Sequence, residues 1–187
     1  MAKTPSNMLP LGTKAPHFSL YDTVSNSTLQ LKNLKGTKGT VVMFICNHCP
    51  FVIHINTTLV AIANTYKTKG IGFIAISSND VENYPQDGPH EMKAHAKLTG
   101  YPFPYLYDET QHVAKAYDAA CTPDIYLFNN NLTLVYRGQL DNSRPGNGIP
   151  VTGDDLINAL DCLIENKDNN RIQKPSIGCN IKWKTES

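Results

Sequence analysis

The sequence predicts an α/β protein with a central mixed sheet covered by helices on both faces. Three observations predict it. Two continuous apolar runs rich in β-branched residues, "GTVVMFICN" at 39–47 and "GIGFIAISS" at 70–78, have the character of strands buried on both faces. Segments of helical spacing lie between the apolar runs, and alternating β and α units bring strands side by side in parallel. Further on, "DIYLFNNNLTLVYRGQL" at 124–140 reads as strand, Asn-rich turn and strand, which adds an antiparallel hairpin.

The elements follow in order. "APHFSLYDTVSNSTLQLKNLKG" at 15–36 has two short alternating segments around a Ser/Asn-rich turn, an N-terminal β-hairpin extension. The run 39–47 is the first buried strand. In 51–70, Phe51, Ile55, Leu59, Ile62 and Tyr66 recur at helical spacing, and Lys67, Lys69 and Gly70 supply a C-terminal stop. After the second strand, 90–100 reads as a helix closed by Gly100, 103–108 as a strand and 109–119 as a helix. The hairpin at 124–140 precedes a last amphipathic helix over 152–167, with Thr152 or Asp154 as its cap. Beyond about residue 168 the tail shows no usable periodicity. With neither an internal repeat nor a linker, residues 1–187 read as one domain.

Composition excludes several classes of function. Hydrophobic residues make up 41% of the chain, enough for a sizeable core, and 12 Gly with 12 Pro are ordinary usage. The 17 basic and 16 acidic residues nearly cancel, so no charge imbalance points to nucleic acid or an anionic membrane. No apolar run approaches the roughly 18 residues of a membrane span. The opening "MAKTPSNMLPLGTKAP" lacks the apolar region of a secretory signal. A cytoplasmic setting is expected, and five cysteines, an odd number, do not suit a purely structural disulfide framework.

The chemistry centres on "CNHCP", Cys46 to Pro50. A C-x-x-C pair is a redox couple, half of a zinc site, or two small core residues that happen to be close. Cys46 stands at the carboxyl end of the first buried strand, and Pro50 suits a first helical turn. A thiol near a helix N-terminus has its anion favoured by unpaired N–H groups and the helix dipole, and His48 adds a neighbouring positive charge. Such surroundings lower a cysteine pKa from about 8.5 to roughly 3.5–7.5. Cys49, one helical turn on, would share a face with Cys46 and attack a mixed disulfide formed there. Zinc requires two more soft ligands, and the candidates His48, His54, Cys121, Cys162 and Cys179 form no second close pair.

The later "DAACTPDIYLF" sets Thr122-Pro123 directly before a buried strand. The strand, C-x-x-C, helix and subsequent Thr-Pro resemble the thioredoxin fold, in which that proline is cis and packs against the cysteines. The resemblance extends to "G-x-x-A-P-x-F-S-L" at 12–20, "ISSND" at 76–80, "FPYLYDETQHVAKAYDAACTPDIYLF" at 103–128 and "YRGQLD" at 136–141. These segments resemble the alkyl hydroperoxide reductase and thiol-specific antioxidant superfamily, particularly its peroxiredoxin-like thiol-disulfide oxidoreductases. The resemblance implies a thioredoxin-like fold and a dithiol–disulfide cycle with Cys46 as nucleophile and Cys49 as resolving thiol. Asn47, His48, Thr122 and Pro123 would support the pair. The implied partners are protein or small-molecule disulfides and a thiol reductant such as thioredoxin or glutathione, with no cofactor and no metal.

Departures from the family pattern matter for the reaction. A peroxiredoxin carries P-x-x-x-T-x-x-C; counted back from Cys49 those places hold Val42 and Cys46, and from Cys46 they hold Gly39 and Met43. A thiol peroxidase is therefore the alternative, with a redox-sensing or zinc-binding module as the other. The preceding strand lacks thioredoxin's buried acid, and His in the third place of the motif resembles the oxidising disulfide enzymes. The expectation is that Cys46 is the more acidic thiol and its disulfide more oxidising than thioredoxin's, roughly −270 mV. Cys121 and Cys179 are possible additional thiols, Cys121 also reading as a small buried loop residue and Cys179 as a packing anchor. Cys162 falls on the apolar stripe of the last helix. The polar loop with Asn79, Asp80, Tyr84 and Asp87 either borders the site or caps the following helix.

Overall fold

The structure, a computed structural model, describes residues 3–185; the first two residues and the last two of the tail lie outside the described residues. In chain order the elements are β1 (Lys3–Pro5), β2 (Ser19–Asp22), β3 (Ser27–Gln30), α1 (Leu31–Leu34), β4 (Gly39–Phe44), α2 (Pro50–Lys67) and β5 (Ile71–Ser77). A 3-10 turn at Pro85–Asp87 leads into α3 (Pro89–Thr99), β6 (Tyr105–Tyr107), α4 (His112–Ala116), β7 (Cys121–Thr122), β8 (Asp124–Asn129), β9 (Leu134–Gly138), α5 (Asp154–Ile164) and β10 (Ile177–Asn180).

Seven strands form the main sheet in the order β3-β2-β6-β5-β4-β8-β9. β4, β5 and β6 run parallel, while β8 lies antiparallel to β4 and β9 to β8. The expected N-terminal hairpin is present as β2–β3, and it widens the main sheet by pairing with β6. The central strands read as unbroken apolar runs because both faces are covered. Val41, Met43 and Ile45 face one core with residues of α2, α3 and α5, and Val42 and Phe44 face a second with Leu31, Ala114 and Tyr117.

Two expectations are corrected. The N-cap position of the last helix is neither Thr152 nor Asp154 but Gly153 at φ 77°, and Thr152 acts from one residue earlier, its Oγ1 accepting the Asp154 N–H at 3.4 Å. Asp141 accepts the N–H groups of Thr152 and Gly153, each at 2.7 Å. The tail, which lacks periodicity, contains β10. Four residues between β1 and β7 are too short for a pattern, but they build a second, three-stranded antiparallel sheet in the order β1-β10-β7. Gly178 allows the approach, since a Cβ there would collide with the carbonyl of Thr122. No helix among the described residues is long and apolar enough to cross a membrane.

Candidate active site

β4 ends at Phe44, and the chain turns through Ile45–His48 before α2 begins at Pro50, with Cys49 as N-cap. Cys46 therefore precedes the helix and does not share a helical face with Cys49, which corrects the one-turn geometry. The two sulfurs meet through the bend instead. Cys46 Sγ lies 3.5 Å from Oγ1 of Thr122, and Cys49 Sγ lies 3.1 Å from the Thr122 carbonyl. The Thr122–Pro123 bond is cis. None of the five cysteines is in a disulfide. Cys46 is 1% exposed and Cys49 0%, so any reagent reaches either sulfur only after the neighbouring side chains move.

The loop after β5 supplies what spacing alone did not reveal. Asp87, fully buried, places Oδ2 2.7 Å from His48 Nδ1. Its Oδ1 accepts the Asn47 N–H at 2.8 Å, and Oδ2 also accepts from Asn79 Nδ2 at 2.8 Å. Asn47 is fixed further by donating Nδ2 to the Gln86 carbonyl and by accepting from the Tyr105 hydroxyl. The His48 ring stacks on Tyr84 with centroids 5.9 Å apart. His48 thus gives its closest contact to Asp87 and only a 4.0 Å contact to Cys46 Sγ. The buried acid beside the pair thus comes not from β4 but from the loop after β5, where the sequence shows a polar loop but no pairing to predict.

The electrostatics correct the expected order of acidity. Cys46, hydrogen-bonded to Cys49, buried, and beside the Asp87 carboxylate, is pushed far up. Cys49 is held down, to about 4, chiefly because as a thiolate it accepts from the Cys46 thiol, with further donors at Thr122 and Cys179. The contact between the two sulfurs favours the anion on Cys49 over Cys46, while Cys49 as a thiol directs its proton to the Thr122 carbonyl. The hydrogen bond to Cys49 and burial raise Cys46 most, and the Asp87 carboxylate adds to them by opposing a second negative charge.

The other predicted residues separate. Cys121 is fully buried and directs its thiol to the Pro123 carbonyl at 3.5 Å; burial first, then the neighbouring Asp124, pushes it up. Cys162 is half-buried on α5. Cys179, by contrast, is brought to the pair by β10, opposite Thr122. Arg144 directs its guanidinium to the carbonyls of Asp141 and Ser143 and to the Gln139 side chain, while Arg137 bonds Gln173.

Cys46, His48 and Asp87 hold donor atoms within 4.8 Å of one another, a mixed S, N and O set of the kind zinc accepts. The 2.7 Å between His48 and Asp87 is a hydrogen-bond distance. Two such ligands on one tetrahedral zinc, with bonds near 2.0 Å, stand roughly 3.3 Å apart. The arrangement is closed around a proton and does not fit an ion without opening.

A mixed sheet with C-x-x-C at the β4–α2 junction, facing a cis-proline strand, defines a thioredoxin-fold redoxin, a redox protein of thioredoxin type. Residues 11–137 match the AhpC/TSA family, and the chain belongs to that family. It is similar over its whole length to the crystal structure of an uncharacterized conserved protein from Geobacillus kaustophilus, at 57% identity, TM-score 0.98, with 100% of this chain and 99% of that one covered. A hypothetical protein from Sinorhizobium meliloti 1021 is 45% identical, with TM-score 0.95 and coverage of 98% and 100%. The thioredoxin domain of a thiol-disulfide oxidoreductase from Bacteroides vulgatus shares the fold at 20% identity and TM-score 0.58, over 69% of this chain and 88% of that one. No curated protein matches the chain.

Proposed function

We propose that the chain is a thiol-disulfide oxidoreductase that cycles Cys46 and Cys49 between dithiol and disulfide. The observation that carries this reading is the convergence of both sulfurs on Thr122, at 3.5 and 3.1 Å. Cys46 is the substrate-side thiol, because Asn47 and His48 beside it reach the surface. As Cys46 attacks a disulfide, its proton passes to the Cys49 thiolate, a Cys46–substrate bond forms, and one substrate sulfur leaves as thiolate. Cys49 then attacks Cys46, its proton goes to the departing thiolate, and the Cys46–Cys49 bond closes. Two electrons pass from the pair to the substrate, and a thiol reductant such as thioredoxin or glutathione restores the dithiol. A reducing compartment such as the cytoplasm suits that cycle. His48 and Asp87 orient the loop that carries Cys46, and Pro123 borders the groove a substrate would enter.

Oxidised glutathione tests it. Cys49→Ser is expected to hold glutathione on Cys46 as a stable mixed disulfide, and Cys46→Ser to capture it at least about tenfold more slowly. Equal capture by both variants would overturn the assignment of roles. Reduced wild type is expected to lose thiols to hydrogen peroxide at a rate like that of free cysteine, ending in a Cys46–Cys49 bond. A rate far above that, with no exchange with glutathione, would make the protein a peroxidase.

A further inference from the structure

Strand β10 does more than close the second sheet. Its register sets Cys179 directly opposite Thr122, and Asn180 opposite Cys121. Residues directly opposite in an antiparallel pair project from the same face. Cys179 thus projects on the face of Thr122, the residue both active-site sulfurs touch, and Cys121 projects on the other. Gly178, where any Cβ would strike the Thr122 carbonyl, lets the strand approach closely enough for this. Cys179 is 2% exposed and packs in one cluster with Cys46 and Cys49. Its backbone N–H and its thiol both bond Cys49. Sulfurs within hydrogen-bond reach on opposed elements meet the first requirement of a disulfide.

We propose that Cys179 is a third redox-active thiol that exchanges into the Cys46–Cys49 disulfide at Cys49. The inference rests on the proposed dithiol cycle and adds a second oxidised state to it. Cys179 attacks the Cys49 sulfur; the Cys49–Cys179 bond forms, the Cys46–Cys49 bond breaks, and the proton of Cys179 goes to the leaving Cys46 sulfur. No outside oxidant is consumed. Forming the first disulfide favours this step, since it removes the Cys49 charge that helps hold the Cys179 proton. In the second state Cys46 is again a thiol beside Asn47 and His48, with its resolving partner occupied. A mixed disulfide made there persists until Cys179 lets Cys49 go, so the third thiol governs how long a substrate stays attached.

The test is disulfide mapping after oxidation with diamide, which takes two hydrogens from a dithiol. Oxidised Cys46→Ser is expected to lose two thiols and yield a Cys49–Cys179 peptide. Oxidised wild type is expected to separate chromatographically into two isomers, Cys46–Cys49 and Cys49–Cys179, and Cys179→Ala into one. If wild type forms Cys46–Cys49 alone while folded Cys46→Ser keeps both thiols, the third thiol is overturned and the dithiol cycle stands. If only Cys49–Cys179 forms in wild type, at every time after diamide is added, the Cys46–Cys49 disulfide does not exist to be exchanged, and the dithiol cycle and the exchange built on it are both overturned. Should Cys46→Ser not fold, the comparison of wild type with Cys179→Ala decides, and one shared isomer in both overturns the inference.

Discussion

The Asp87 carboxylate, fully buried, lies 2.7 Å from Nδ1 of His48 and also holds the Asn47 N–H. One acidic side chain from the loop after β5 thus grips both residues between the cysteines. It fixes the loop and at the same time sets the charge that Cys46 must work against.

That charge gives a first prediction. In the Cys49→Ser background, Asp87→Asn should move the titration of Cys46 to lower pH by about one unit or more, because a carboxylate that raises it is gone. The pH profile of iodoacetamide alkylation measures this. An unchanged or higher midpoint would mean that Asp87 acts on the loop's geometry and not on the sulfur.

The contact between the two sulfurs gives a second. Reduced protein should show thiolate ultraviolet absorbance that survives acidification to about pH 4, the range in which Cys49 is held. Cys49→Ser should abolish that absorbance at neutral pH. Cys46→Ser should keep a thiolate but with a higher midpoint, since the chief donor to Cys49 is lost. The pair titrates as a unit, so the wild-type curve belongs to both residues. A single midpoint near the ordinary cysteine value would sink this account.

Much of this was legible in the sequence, and the limits have physical causes. β4 and β5 announce themselves because burial on both faces leaves no room for polar alternation, and α2 because Ile55, Leu59, Ile62 and Tyr66 fall on one stripe. Cys46, Cys49, Thr122 and Pro123 were marked by residue type and order. The Asp87–His48 contact was not, because the 38 residues between them carry no periodicity that pairs them. β10 was missed for the opposite reason: its four residues take their strand form from β1 and β7, which are equally short.

Gly178 carries a third prediction. Gly178→Ala places a methyl group against the Thr122 carbonyl and the Pro123 nitrogen, and backbone of this kind yields little. The variant should lose about 1–3 kcal/mol of stability, measured by urea unfolding, and its Cys49 should become accessible to alkylation. Full stability would show that β10 can sit further from β7 than it does here.

Asp124 carries the fourth. It begins β8 just after Pro123, and burial pushes its carboxyl up from 3.8 to about 6. The unfolded chain then ionises first as pH rises. Stability should fall between about pH 4 and pH 6 and level off above, at a cost on the order of 3 kcal/mol. Asp124→Asn removes the charge but keeps an oxygen to accept the Ala120 N–H. Its Tm should match wild type near pH 4 and exceed it at pH 7.5. A gain that is the same at both pH values would refute the electrostatic origin.

The position of β10 also sets a timetable. Residues 177–180 follow every other described strand in the chain, so β7 is synthesised before the strand that pairs with it and covers Thr122. Without residues 177–180, Cys49 lacks the strand that shields it and the N–H group that bonds it. The strand that completes the cover over Cys49 is thus the one synthesised last among those described, and it brings a cysteine with it.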